Sequence, residues 1–347
     1  MRRRQFVKAT LGGAVAAPLV ARYSGANAQA QVTLRLHHFL PATTTGQTGV
    51  FEPWAKRLAE ESQNRIRVQI FPAMQLGGAP PQLFDQARDG IVDMVWTLPG
   101  YTPNRFPLIE VFELPFLAGS ARATSLALAE FADKHLRQEF REVVPVGFWA
   151  HDPGHIHTRD RLVRTMEDLK GLKLRFPTRQ ANETLKALGA DTVGMPVPAV
   201  PEALSRGTID GAVIPWEVVP TIRVHELCKT HTVIPGTPGL YTATFILAMN
   251  RRTYENLPAD LRDVLDRNRG LPFSRLAGEA WDAAAAKGRD AAAQRGNRIH
   301  ELSADEVARW REATRPVVEA WVMSMQQRGV DGQALLDEAR ALIAKHA

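Results

Sequence analysis

From Gln31 onward the sequence alternates between two hydrophobic periods, one near two residues and one near 3.6. Val32 to His38 predicts a strand, Thr48 to Glu61 an amphipathic helix, and Arg65 to Phe71 a second strand. Pro80 to Arg88 predicts a helix opened by a proline pair, and Ile91 to Trp96 a third strand. A second run of the same kind starts near Asp168: a strand over Leu172 to Phe176, helices over Gln180 to Leu188 and Ala199 to Arg206, and a strand over Ile209 to Ile214. Strands that alternate with helices in this way predict α/β architecture with largely parallel sheets.

The two runs share a joint. Gly90-Ile91-Val92-Asp93 and Gly207-Thr208-Ile209-Asp210 each place a glycine where a helix ends and an aspartate where a buried strand begins. Glycine there supplies the left-handed conformation of a C-terminal cap. The repetition predicts two lobes of like construction. Apolar strands over Val143 to His151 and Tyr241 to Asn250 are long enough to cross between lobes as a hinge, and the ligand is then expected in the cleft between them. This reading assigns residues 31–152 and about 242–290 to the first lobe, and 153–241 and about 291–347 to the second. The C-terminal region predicts helices over Leu276 to Arg295, Ala304 to Gln327 and Asp331 to Lys345, and the alanine richness of the first reads as helix propensity without functional signal.

Composition narrows the function. A chain of 347 residues with 45% hydrophobic and 23% charged positions has the balance of a soluble globular protein of one large or two ordinary domains. Its net charge of +6 is misleading, because Arg2, Arg3, Arg4, Lys8 and Arg22 fall in the first 30 residues with no acid beside them; without those five the charge is +1. Nucleic-acid binding loses its electrostatic support. The same 30 residues predict an export signal: a basic start, an apolar run from Ala9 to Val20 too short and glycine-rich to span a membrane, and small residues offering cleavage after Ala28 or Ala30. Arg3-Arg4-Gln5-Phe6-Val7-Lys8 fits the twin-arginine pattern, with a Sec signal as the alternative, and either route leads to the periplasm. A single cysteine, Cys228, cannot form an intrachain disulfide and reads as a small buried hydrophobe.

The sequence lacks a Gly-x-Ser-x-Gly elbow, a phosphate loop, Gly-x-Gly-x-x-Gly, His-Glu-x-x-His and Cys-x-x-Cys. Histidine offers the remaining case for an enzyme. His155 and His157 share a strand face, with His151 and Asp152 just before them, a set that could ligate a metal or line the cleft as hydrogen-bonded residues. His38, at the end of the first strand, has the same ambiguity. Phe39, Trp96, Tyr101, Phe148, Trp149, Phe176 and Trp216 fall at predicted strand ends, where open α/β sheets bind ligands, and together favour a flat, partly apolar ligand. Glu217 could accept a hydrogen bond from it. In Leu172-Lys173-Leu174-Arg175-Phe176 one face carries the leucines and the other Lys173 and Arg175, so that face is either solvated or holds an anion.

Asp168 to Pro177, Leu188-Gly189-Ala190, Met195 to Pro198 and Ala203 to Gly211, with Leu76-Gly77-Gly78 and Gly90 to Asp93, resemble the DctP-type substrate-binding proteins of tripartite ATP-independent periplasmic (TRAP) transporters. The resemblance spans the mature chain. It implies a two-lobed periplasmic binding protein of type II-like fold, not an enzyme, with no cofactor. Such a protein acts as a monomer that closes on an organic acid and delivers it to a permease of two membrane subunit types. It also implies that Arg175 makes the principal salt bridge to the ligand carboxylate, for which a planar guanidinium is suited. Two departures from the family pattern bear on the ligand. Ile214 stands where many members have asparagine, and Gly154-His155-Ile156-His157 stands where many have Gly-x-Arg. Without a second arginine, the resemblance points to one carboxylate on an apolar or aromatic body, with His155, His157, Trp216 or Glu217 supplying other contacts. The rival readings are a metal-dependent periplasmic enzyme using His151, Asp152, His155 and His157, and a ligand-sensing module for a chemoreceptor or sensor kinase.

Overall fold

The computed structural model describes residues 32–347, so the expected export signal lies outside the described residues. Eleven strands form two sheets: β1 (Val32–His37), β2 (Ile66–Phe71), β3 (Met94–Thr97), β4 (Val143–Ala150), β5 (His155–Thr158), β6 (Lys173–Phe176), β7 (Asp191–Gly194), β8 (Gly211–Ile214), β9 (Thr230–Val233), β10 (Thr244–Asn250) and β11 (Arg298–Glu301). The first sheet has the order β2-β1-β3-β10-β4 and the second β11-β9-β5-β8-β6-β7. The helices are α1 (Glu52–Glu61), α2 (Leu83–Arg88), α3 (Ala121–Phe131), α4 (Arg179–Ala187), α5 (Val200–Ser205), α6 (Val224–Leu227), α7 (Arg251–Glu255), α8 (Ala259–Arg267), α9 (Leu271–Gln294), α10 (Ala304–Gln327) and α11 (Gly332–His346).

The repeated joint is present in both lobes. Gly90 and Gly207 have φ of +74° and +70°, where a Cβ would be strained. Gly90 N–H donates to the Ala87 carbonyl and Ile91 N–H to that of Gln86, while Gly207 and Thr208 donate in the same pattern to Leu204 and Ala203. Each following aspartate then caps a neighbouring strand: Asp93 accepts the backbone N–H of Arg35 at 2.9 Å, and Asp210 that of Lys173 at 2.9 Å. The glycine ends the helix, and the aspartate ties the new strand to β1 in one lobe and to β6 in the other.

Each sheet has a parallel set of three strands reaching one edge, β2-β1-β3 in the first and β8-β6-β7 in the second. β10 runs antiparallel to β3 and β4, so its first residues lie beside their last. β5 is antiparallel to β8, with His155 opposite Ile214. The chain therefore leaves and re-enters each sheet on one side. The expected crossing strands behave differently from the sequence reading, since β4 and β10 both pair wholly within the first sheet. The crossings are made by the segments just beyond them, which are laced together: Gly154 N–H donates to the Tyr241 carbonyl at 2.9 Å, Ala243 N–H to His151 Nε2 at 2.8 Å, and Thr242 Oγ1 to the His151 carbonyl at 2.8 Å.

The C-terminal helices do not stay with one lobe. In α9, Gly278 lies against the backbone of Ala121 and Arg122 in α3, and ten residues on Gly288 lies against the backbone of Trp216 beyond β8, so the helix braces both lobes. α10 starts on α4, with Trp310 in the second lobe's core, and by Trp321 it donates an indole N–H to the Pro107 carbonyl at 3.1 Å. α11 packs on α3, and Lys345 and His346 both bond Glu130 at 2.7 Å. The expectation that 291–347 belongs to the second lobe thus meets a chain that returns to the first.

Candidate ligand-binding site

The carboxyl ends of β1, β3, β6 and β8 face one another across the interlobe cleft, and the residues just past them line a pocket of about 420 Å³, a volume that includes space open to solvent. Phe39 and Leu40 follow β1; Trp96, Leu98 and Tyr101 come from the end of β3 and the turn after it. Arg175 and Pro177 come from β6, and Ile214, Pro215, Glu217 and Val218 from the end of β8. The crossing segments add His151, Tyr241, Ala243 and Phe245, α9 adds Trp281, and Val197 completes the wall.

Most of this wall is aromatic. Trp96 is the hub, with ring centroids 4.8 Å from Phe39, 5.7 Å from Phe245 and 5.9 Å from Trp281. Tyr101 packs edge-on to Phe39 and accepts the Val197 N–H from the other lobe at 3.0 Å. A flat apolar body is the shape such a box surrounds.

Arg175 supplies the charge. Its side chain is 3% exposed, donating through Nε to the Met195 carbonyl at 2.9 Å and through Nη1 to that of Val213 at 3.4 Å, with the Tyr101 hydroxyl beside it. Burial presses it below its ordinary pKa, which is too high for a guanidinium to lose its proton. Among the described residues no carboxylate reaches ion-pair distance of Arg175, and no other lysine or arginine lines this cavity. Lys173, two residues earlier, is exposed.

Other polar groups in the wall are neutral or near neutrality. Burial lowers the His151 pKa to about 4; its Nε2 accepts from Ala243, so Nδ1 carries the proton and donates to the Asp152 carbonyl. Burial raises the Glu217 carboxyl to about 7, against the pull of the Thr45 hydroxyl and backbone from the first lobe. Burial also lifts Tyr241 above its ordinary value.

The structure therefore brings Arg175, Phe39, Trp96, Tyr101 and Glu217 to one cavity, with His151 beside them, and leaves Phe176, Trp216, His38, His155 and His157 outside its lining. Phe176 points the other way on β6, against Gly194. His38 lies behind Trp96 and bonds Gln47 at 3.1 Å. Trp216 packs on His157 and His231 at 4.8 and 5.1 Å. His157 uses both ring nitrogens, on His231 Nδ1 at 2.7 Å and the Ile214 carbonyl at 3.0 Å, and His155 Nδ1 accepts the Ile234 N–H at 3.3 Å. These contacts make His38, His155 and His157 packing and hydrogen-bond partners outside the lining, whereas His151 lines the cavity with both ring nitrogens bonded to backbone. Among the described residues no group of three or more histidine, cysteine or acidic side chains is arranged to hold a metal. Sequence reasoning missed Trp281, Tyr241 and Phe245. Trp281 had a faint signal, one large aromatic in a helix of small residues that lets its neighbours approach closely.

The family model of bacterial extracellular solute-binding proteins, family 7 (DctP), matches residues 36–329. The chain belongs to this family. Its members are two-lobed binding receptors of TRAP transporters, not enzymes, which removes the metal-dependent alternative. A TRAP solute-binding protein from Rhodoferax ferrireducens T118, solved with copurified benzoate, is 48% identical with a TM-score of 0.89, covering 91% of this chain and 98% of that one. A TRAP solute-binding protein from a marine metagenome, specific for aromatic acid ligands and solved with 3-hydroxybenzoate, is 44% identical with a TM-score of 0.89, covering 92% and 99%. The C4-dicarboxylate-binding periplasmic protein DctP of Rhodobacter capsulatus is more distant, 27% identical over 314 residues, 88% of this chain and 86% of that one. The DctP-type receptor fold is thus shared with proteins that bind quite different acids.

Proposed function

We propose that this DctP-type receptor captures an aromatic monocarboxylate, with the carboxylate on Arg175 and the ring in the box of Phe39, Trp96, Phe245 and Trp281. The observation that carries this reading is a buried guanidinium without a counter-ion inside an aromatic cavity. A buried charge needs a partner, and here only a ligand can bring one. One cation suits one carboxylate, and the wall offers a second carboxylate only Glu217, which would repel it. The benzoate and 3-hydroxybenzoate bound by the two similar receptors support the same class.

The rest of the cycle belongs to this proposal. Residues 1–30 direct export to the periplasm and are removed. The monomer closes its lobes on the acid about the laced crossings, and a TRAP permease receives it. Residues 32–152 with β10 through α9 form the first lobe, onto which α11 docks, and 153–241 with β11 and the start of α10 form the second. The test is a thermal-shift series on ligand-stripped protein with benzoate, cyclohexanecarboxylate and succinate. At a hundredfold excess over Kd a ligand specific to the native state adds about 2.7 kcal/mol, so benzoate should raise Tm by several degrees and succinate should leave it unchanged. A larger shift with succinate than with benzoate would overturn the reading.

A further inference from the structure

The cavity holds more polar atoms than a carboxylate can satisfy. Glu217 Oε1, Tyr241 Oη, and the indole nitrogens of Trp96 and Trp281 are all buried, belong to lining residues, and have no hydrogen-bond partner. Native interiors leave few such groups unmade, because each costs free energy. Arg175 and Tyr241 account for the carboxylate end: Tyr241 lies within electrostatic reach of Arg175, and its hydroxyl can donate to the same anion. Once ionised, Glu217 cannot join them, since a carboxylate oxygen and a ligand carboxylate repel. Its Oε1 needs a donor on the ligand, and the two indole N–H groups need an acceptor. A hydroxyl is both at once, whereas an aryl amine donates but has its lone pair drawn into the ring.

We infer that the ligand is a hydroxylated aromatic acid and that Glu217 is the residue that reads its hydroxyl. This rests on the aromatic-acid reading above and adds a second polar group and a named specificity-determining residue. Glu217 is well placed for it. It is 5% exposed, sits on the short 3-10 turn Trp216–Val218 after β8, and has Thr45 of the other lobe within electrostatic reach. Burial pushes its carboxyl up to about 7 against the pull of Thr45, and a hydroxyl donor would favour the ionised form.

The experiment compares isosteres. Affinities for 3-hydroxybenzoate and 3-methylbenzoate, and for the 4-substituted pair, are measured by calorimetry on the stripped wild-type protein with benzoate as the parent. A hydrogen bond to a charged acceptor predicts that the preferred hydroxy isomer binds roughly 10- to 100-fold more tightly than its methyl isostere. In Glu217→Leu that ratio should fall to about one, whatever the change in the affinity for benzoate itself. Methyl and hydroxy isosteres that bind the wild type equally well would overturn the inference even if Glu217→Leu failed to fold. A ratio that survives in Glu217→Leu would do the same. Tight benzoate binding without hydroxyl preference would leave the aromatic-acid reading standing, and failure of all these acids would instead remove that reading.

Discussion

Arg175→Met separates the binding role of this residue from any structural one. In the complex the substitution removes one member of a buried pair, and losing a single partner of such a pair costs about 3 to 5 kcal/mol. At 1.4 kcal/mol per decade, affinity should fall by roughly two to four orders of magnitude. The unliganded protein should respond otherwise. In the open form the side chain meets water, and in the closed form without ligand the guanidinium is 3% exposed and offset only by the Met195 and Val213 carbonyls, the second at a long 3.4 Å, and by the Tyr101 hydroxyl. An apolar side chain of similar length relieves that desolvation, which is typically neutral or favourable by about 1 to 4 kcal/mol. Against this, the two carbonyls lose a donor at about 1 to 3 kcal/mol each. The terms nearly cancel, so the unliganded Tm should stay within a few degrees of wild type while the benzoate-induced shift disappears. Arg175→Lys should recover part of the affinity, because an ammonium keeps the charge but not the planar fork. Lys173→Ala is the control on the same strand, exposed and tied to Asp210 only through its backbone. Calorimetry and thermal shift on the four proteins decide the matter. If Arg175→Met binds benzoate within about threefold of wild type, or if Lys173→Ala loses as much, the cavity does not work through this arginine.

Two further expectations concern stability. Glu113 is buried with Oε2 unpartnered and Oε1 accepting from Thr244 N and Oγ1 at 3.0 and 2.7 Å, and burial pushes its pKa up to about 7. Between pH 4.5 and 7 the folded state therefore keeps a proton that the unfolded chain has released, so this residue's contribution falls as pH rises through that window, by on the order of 3 kcal/mol. Glu113→Gln should gain stability relative to wild type at pH 8 and not at pH 4, measured by urea denaturation at both; an equal difference at the two pH values would refute the assignment. A Cβ on Gly288 would lie 1.8 Å from the Trp216 carbonyl oxygen, a backbone atom that cannot step aside cheaply. Gly288→Ala should lower Tm and weaken benzoate binding together, and an unchanged Tm would show that α9 does not brace the second lobe as described.

The sequence showed the scaffold more clearly than the site. Gly90 and Gly207 were legible because a left-handed cap has few solutions, and the strands around them because parallel central strands are continuously apolar. α10 ran over the same residues as its sequence pattern. The short strands β7 and β11 were not legible: four residues with half-exposed side chains carry no period, and only pairing with a neighbour defines them. The site was half legible. Strand ends bring ligand residues together, so Phe39, Trp96, Tyr101 and Glu217 were marked by their place, while place left Arg175 open between solvent and an anion. The same rule wrongly favoured Phe176, Trp216 and the histidines, because adjacent residues at a strand end face opposite ways and their neighbours decide which way is the cleft. Trp281 lies in a helix that crosses between lobes, and no local pattern reports which tertiary surface a helix will touch. The resemblance to the DctP family singled out Arg175 but was silent on the aromatic box that surrounds it.

The position of Arg175 also bears on how an empty receptor avoids imitating a full one. Several contacts across the cleft favour closure whether or not ligand is present: Glu110 bonds Arg179 and Gln180, Tyr101 bonds Val197, and Thr45 reaches Glu217. Closing around nothing, however, takes Arg175 out of water with two carbonyls and a tyrosine as its only compensation, a cost of several kcal/mol. An aromatic acid alters that one term and leaves the interlobe contacts as they were. If its ion pair is worth about 3 to 5 kcal/mol more in the closed state than in the open one, it shifts the balance between them by roughly 10² to 10⁴, close to what is needed to turn a mostly open population into a mostly closed one. In the proposed cycle the permease can then read loading from shape alone. In that cycle the buried arginine would serve specificity and signalling by the same means, since the anion that satisfies it would also make the closed state the stable one.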